Sequence, residues 1–230
     1  MTEEIPQNEL LTLRRAKLDD LRSKGNAFPN DFKRDALAED LHTSYDSFEK
    51  EKLDKKTVHV SIAGRVMLQR VMGKASFITI QDLTGQIQAY IKLDNVGEDV
   101  YKEFKKWDLG DVVGLKGKLF KTKTNELTVE ADNIFLLTKS LRPLPEKHVG
   151  LVDTEQRYRK RYLDLLTNQE SLEVFKTRSK LISEIRNIFI EKGYLEVETP
   201  MMHPIPGGAA ARPFVTHHNA YDIDLYLRVA

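Results

Sequence analysis

Apolar residues recur along this chain with two different periods, and each change of period marks a change of element. Between Asn8, a fair helix cap, and Gly25, a helix stop, Leu10, Leu11, Leu13, Leu18 and Leu21 fall at helical spacing. Leu37, Leu41, Tyr45 and Phe48 form a second helical series. Two amphipathic helices are therefore predicted before the first strand. Their charged outer faces read most simply as solvated surface, although basic helices beside a nucleic-acid-binding domain can add phosphate contacts. From Thr57 the period falls to two, and Val58, Val60, Ile62, Val66 and Leu68 share one face of a long strand interrupted by Gly64. Ile78 and Ile80 mark a second strand; Ile87, Ala89 and Ile91 mark a third, across a turn at 82–85. Residues 98–107 read as a helix with Val100, Tyr101 and Phe104 on one side. Two further strands carry Val113, Leu115 and Leu119, and then Leu127, Val129 and Ala131.

Three strands, a helix and two strands, in that order, describe a five-stranded OB-fold barrel, with a generic small β-barrel as the alternative. Residues 139–152 read as a linker stiffened by Pro143 and Pro145. A basic helical stretch opens at Asp153. A longer helix follows, with Leu172, Phe175, Ile182, Ile185 and Phe189 along one stripe and Gly193 at its end. A strand is predicted at 194–198, running into Pro200, then a Gly/Ala/Pro loop, then strand-like pieces at 214–218 and 224–229. The predicted class is α+β, with an amino-terminal helical extension (1–56), an OB domain (57–138), a linker (139–152) and a second domain (153–230).

Composition narrows this only at a few points. A net charge of +1 means that nucleic-acid binding has to rest on a local patch. With no cysteine there is no disulfide, thiolate metal site or cysteine nucleophile. The acidic start Met1-Thr2-Glu3-Glu4 has no signal-peptide character, and no apolar run approaches the ~20 residues of a membrane span, so a cytoplasmic protein is expected.

Alternation supplies the candidate chemistry. If Ile78, Ile80, Ile87, Ala89 and Ile91 point inward, Phe77, Thr79, Gln88 and Tyr90 point outward; the same logic exposes Arg65 on the first strand and Glu126 on the fifth. An outward phenylalanine beside amides and an arginine suits unpaired bases, because the ring stacks while polar groups read the base edge. Arg70 and Lys74 between the first two strands, and Lys121 and Lys123 between the last two, add positive charge. The competing reading is that the helices cover Phe77 and the lysines only solubilise. His217 and His218 suggest a metal, but neighbours on a strand face opposite ways, so structural roles are expected and no metal site is assigned.

Three segments carry a closer resemblance: MGKASFITIQDLTGQIQAYI (72–91), LRPLPEKHVGLVDTEQRYRKRYLDL (141–165) and GYLEVETPMMHPIPGGAAARPFVTHHNAYDIDLYLR (193–228). Together they resemble the class II lysyl-tRNA synthetase family, with the run GGAAARPFVTHHNA separating it from the aspartyl and asparaginyl relatives. The resemblance implies that residues 153–230 begin an antiparallel class II catalytic domain. It implies that Phe77, Gln88 and Glu126 recognise the anticodon, Phe77 by stacking on its central uridine, with Arg65 and Arg70 as neighbouring basic positions. It implies that motif 1, including Phe189 and Pro200, forms a homodimer interface, and that Gly207 and Gly208 border the lysine substrate. The implied partner is tRNA-Lys, with neither DNA nor membrane expected. The implied reaction is ATP- and Mg²⁺-dependent attachment of lysine to that tRNA. In the family order the motif 2 and motif 3 groups that hold the nucleotide come after residue 230. No catalytic residue is therefore assigned, and the chain is expected to be inactive alone. The alternative is a non-catalytic tRNA- or RNA-binding protein derived from a truncated synthetase.

Overall fold

The structure, a computed structural model, describes residues 7–145, 151 and 153–229. Two compact units are present, Met1–Val152 and Asp153–Ala230.

The first unit begins with α1 (Gln7–Lys24), α2 (Ala38–Tyr45) and α3 (Lys50–Lys56). Three helices thus stand where two were expected. The series that began at Leu37 breaks: Leu37 is the extended cap of α2, Phe48 sits in the turn after it, and a separate short helix buries Leu53. On α1 the inner stripe also differs, since Leu13 is 52 % exposed while Arg14 and Leu18 are buried. Arg14 donates to the carbonyls of Ser140 (3.0 Å) and Arg142 (3.2 Å), which gives its buried charge polar partners.

The barrel consists of β1 (His59–Met72), β2 (Ala75–Gln81), β3 (Gln86–Lys92), β4 (Val112–Lys121) and β5 (Leu127–Thr138). Between β3 and β4 lie α4 (Leu93–Val96) and α5 (Glu98–Phe104). The sheet closes in the order β1-β2-β3-β5-β4, with β3 and β5 parallel and every other pair antiparallel. This is the OB topology. Apolar residues of period two fill the interior, from Val60, Ile62 and Val66 through Ile78, Ile80, Ala89 and Ile91 to Leu115 and Val129. α5 adds Tyr101 and Phe104, both almost wholly buried, whereas Val100, expected beside them, faces outward. The Tyr101 hydroxyl donates to the Gly73 carbonyl (3.1 Å) and lies 2.8 Å from Ser76 Oγ, tying α5 to the β1–β2 turn.

Two glycines let the strands close. A Cβ at Gly64 would stand 2.4 Å from the Gln81 carbonyl oxygen, and one at Gly117 would stand 1.9 Å from that of Glu130. Backbones approach there as only glycine permits. The first part of the expected linker is packed onto this unit. Lys139 is buried with its ammonium on both Asp111 oxygens (2.9 and 2.7 Å) and on Asp108, and Ser140 N–H donates to Asp111 (2.8 Å). Residues 146–150 and Val152 of that linker lie outside the described residues.

The second unit contains α6 (Thr154–Arg159), α7 (Arg161–Thr167) and α8 (Gln169–Glu191). A small antiparallel sheet follows, of β6 (Met202–His203), β7 (Val215–His218) and β8 (Ile223–Leu227), in the order β6-β8-β7. Asp153 and Asn168 cap α6 and α8 by accepting from Glu155 and Ser171 N–H. Buried Asp164 binds Arg157 Nε (2.9 Å) and Arg161, and Arg157 also donates to Ser171 Oγ (2.9 Å), closing α6 and α7 against the start of α8. The expected strand at 194–198 is absent: the stretch is unpaired, and Leu195 is 85 % exposed. Alternating apolar residues do not make a strand without a neighbour to accept and donate its backbone hydrogen bonds. The expected stripe on α8 is likewise uncovered among the described residues, with Ile182, Ile185 and Phe189 all exposed.

Candidate nucleic-acid interface

On the outer face of the barrel the strand register brings side chains into rows. Arg70 pairs with Phe77 and Phe77 with Tyr90; Leu68 pairs with Thr79, Thr79 with Gln88, and Gln88 with Thr128, which also faces Phe120. Directly paired residues share a face. These rows floor a groove of about 660 Å³ whose walls include Lys50, Thr122, Lys123 and Thr124.

A β-bulge between Val66 and Leu68 builds half of this floor. One extra residue on β1 shifts the phase, so Val66 points into the core while Leu68 and Arg70 point outward. Leu68 was expected on the core face, and Arg70 in a loop. Both expectations are corrected, because β1 continues through Met72 and only Gly73 and Lys74 make the turn.

Aromatic rings cover the floor. Phe77 stacks on Tyr90 with centroids 4.5 Å apart and planes at 21°, and Tyr90 meets Phe120 at 6.1 Å. Lys92 Nζ lies 5.2 Å from the Tyr90 ring centre and 2.5 Å from Glu130 Oε1. The hydrogen bond to Glu130 holds the Lys92 ammonium above its ordinary pKa, outweighing the opposing effect of burial. Phe77 is half-buried, with one ring face against Tyr90. The described helices leave it lining the groove. Phe120 was missed from sequence, although alternation from buried Leu119 would have placed it outside.

The remaining expected residues fall in different places. Gln88 is in the groove, with its Oε1 2.9 Å from the Thr128 hydroxyl. Lys123 lies in the tight turn at its rim, and Lys74 is exposed in the β1–β2 turn. Arg65 is on the outer face but outside the groove lining, its guanidinium donating to the Gly110 carbonyl at 2.6 Å. Glu126 is exposed in the turn before β5 rather than on the strand, with its carbonyl accepting from Thr122 N–H (3.0 Å). Lys121 needs the largest correction. It lines the groove at the end of β4, but it is 2 % exposed and its ammonium donates to the Asp46 carbonyl at 2.7 Å, so it is no free loop charge.

In the second unit Gly207 and Gly208 lie in an exposed loop, Gly208 at φ +101°; nothing within 4 Å would meet a Cβ at Gly207. Phe189 meets Tyr194 edge-on at 5.4 Å, and Pro200 is exposed. His217 pairs with Asp224 (3.0 Å) and Asp222 (3.3 Å), while His218 turns away against Tyr221. Among the described residues no group of three or more His, Cys, Asp or Glu could hold a metal ion. No helix described is long and apolar enough to cross a membrane.

A closed OB barrel with an aromatic, cation-rimmed groove, followed by a helical segment and an antiparallel sheet, is the architecture of a class II aminoacyl-tRNA synthetase front half. Sequence comparison agrees: residues 60–137 match the OB-fold nucleic acid binding domain family, and residues 153–230 match the tRNA synthetases class II (D, K and N). More closely, the chain is homologous to bacterial lysine–tRNA ligases. It is 64 % identical over 221 residues to that of Mannheimia succiniciproducens, covering 96 % of this chain and 44 % of the relative. It is 60 % identical over 228 residues to that of Haemophilus influenzae strain PittEE (99 % and 45 %), and 60 % over 225 residues to that of Laribacter hongkongensis (97 % and 45 %). The chain thus spans less than half the length of these relatives.

Proposed function

We propose that this chain is the anticodon-recognising part of a cytoplasmic lysine–tRNA ligase, together with the beginning of its catalytic domain. The observation that carries the reading is the aromatic floor formed by Phe77, Tyr90 and Phe120 on the outer face of the barrel. Unpaired anticodon bases enter the groove, one stacks on the free face of Phe77, and Gln88 reads its edge. Arg70, Lys123 and Lys50 meet the backbone phosphates, which position the loop without reading it. Arg65 and Glu126 stand at the margins, Arg65 held by Gly110 and Glu126 free to meet a base beyond the floor. Lys74 adds a further contact in the turn.

In the whole enzyme, ATP and Mg²⁺ activate lysine and the product is lysyl-tRNA-Lys. Gly207 and Gly208 form the part of the lysine pocket contributed here, since their loop offers backbone without side chains. The exposed apolar face of α8, with Phe189 and the stretch to Pro200, is the surface through which two copies pair. The test is titration of a labelled stem-loop bearing three uridines in a seven-base loop. Base stacking is worth roughly 1–3 kcal/mol, so Phe77→Ala should weaken binding about five- to a hundredfold. Equal affinity of the two proteins at matched salt would refute the assignment.

A further inference from the structure

Gln88 offers the groove an amide, and an amide has two ends of opposite character: its oxygen accepts hydrogen bonds and its nitrogen donates them. Which end faces a base decides what that base must be. Uracil presents an acceptor at O4, where cytosine presents an amino donor at N4. The orientation of one side chain therefore separates the two pyrimidines.

That orientation is held from behind. Thr128, wholly buried on β5, is the register partner of Gln88, and its hydroxyl donates to Gln88 Oε1 at 2.9 Å. With the amide oxygen taken, the Nε2 hydrogens are left to point into the groove. The hydroxyl carries a single proton, and a second acceptor lies within reach, the Glu126 carbonyl at 3.2 Å. Were the proton given to Glu126, the hydroxyl oxygen would accept from Gln88 Nε2 and the amide would present its oxygen outward, favouring cytidine. In the structure it is Oε1, not Nε2, that lies 2.9 Å from the hydroxyl, which is the first arrangement. The Glu126 carbonyl already accepts from Thr122 N–H at 3.0 Å, so it does not depend on the Thr128 proton.

We infer that Thr128 is a specificity-determining positioning residue: without touching RNA, it fixes the Gln88 amide with its donor end toward the base and so selects uridine over cytidine. This rests on the reading of the groove as the anticodon site. The surrounding rings do not supply the discrimination, because Phe77 stacks on either pyrimidine.

The experiment compares two stem-loops, identical but for uridine or cytidine at the central loop position, titrated against the 230-residue chain at matched salt. The wild-type chain should prefer uridine by about two- to tenfold, the worth of one net hydrogen bond. Thr128→Val keeps the volume and removes the hydroxyl; the preference should collapse toward unity. Thr128→Ser restores a hydroxyl and should restore the preference. A melting curve of each variant shows whether it folds, and Thr128→Ala, held to the same readout, replaces the valine variant if that one does not. Gln88→Glu, which can only accept, should turn the preference toward cytidine. An unchanged uridine-to-cytidine ratio in folded Thr128→Val or Thr128→Ala overturns the inference. Failure of the wild-type chain to bind either stem-loop, or to distinguish them, overturns instead the reading on which it rests.

Discussion

The ammonium of Lys121 and the carbonyl of Asp46, 2.7 Å apart, join the end of β4 to the corner between α2 and α3. The charge is buried and satisfied by a backbone oxygen, and Lys50, just beyond that corner, lines the groove. Lys121→Met should therefore lower stability by about 1.5–3 kcal/mol, the range for a hydrogen bond to a charged group. It should leave the salt dependence of RNA binding nearly unchanged. Urea unfolding and a salt titration of the stem-loop check both halves; a flattened salt slope at full stability would return Lys121 to the RNA contacts.

Lys123 and Lys50 stand on the opposite side of that distinction, as exposed residues lining the groove. Each replacement by alanine should weaken every loop sequence about equally. Each should also lower the slope of log affinity against log salt by about 0.7, the value for one phosphate contact on single-stranded RNA. A loss confined to one loop sequence would mark the residue as a base reader.

Tyr90 backs Phe77 at 4.5 Å, so its ring supports the stacking surface without itself needing to meet a base. An aromatic pair is worth about 0.5–1.5 kcal/mol beyond burial. Tyr90→Leu should reduce affinity by about two- to tenfold, Tyr90→Phe should not, and neither change should matter once Phe77 is alanine. Additive losses in that double-mutant cycle would show that Tyr90 acts independently of Phe77.

Acid should loosen the first unit at identifiable carboxylates. Burial pushes Asp82 upward, but hydrogen bonds from the Ala38, Thr84 and Gly85 N–H groups and the Thr84 hydroxyl outweigh it and hold the group below its ordinary 3.8. Burial likewise raises Asp108, and the ammonium groups of Lys139 and Lys17 more than reverse it. A carboxylate depressed in the folded state contributes stability that is complete above the unfolded value, near pH 3.8. That contribution is lost as pH falls through the folded value. Urea midpoints should therefore fall steeply below about pH 4, and Asp82→Asn should be less stable at neutral pH yet lose less on acidification. Parallel curves for the two proteins would remove Asp82 from the acid response.

Pairing through α8 predicts self-association. Phe189→Glu places a charge on an apolar face, where burial without a partner is unfavourable. Sedimentation velocity should show the variant shifted toward monomer at a concentration where the parent chain is dimeric. A monomeric parent chain at every concentration tested would argue against the α8 surface as the pairing site.

Strand parity was readable in the chain itself. Alternation is local, so the buried set Ile78, Ile80, Ile87, Ala89 and Ile91 and the outward set Phe77, Thr79, Gln88 and Tyr90 followed from residue order alone, as did the sequence of barrel elements. Tertiary structure decided whatever depended on a distant partner. The bulge after Val66 turned Leu68 outward because β1 had to match the register of β2. Lys121 was withdrawn from solvent by a carbonyl 75 positions away, and Arg14 was drawn inward by carbonyls more than 120 positions away. The stretch at 194–198 carries the alternation of a strand but finds no edge to pair with, so it stays unpaired. Periodicity tells which face of an element is apolar; only the fold tells which backbone or side-chain group stands opposite, and that opposing group determines whether a charge binds RNA or holds the barrel together.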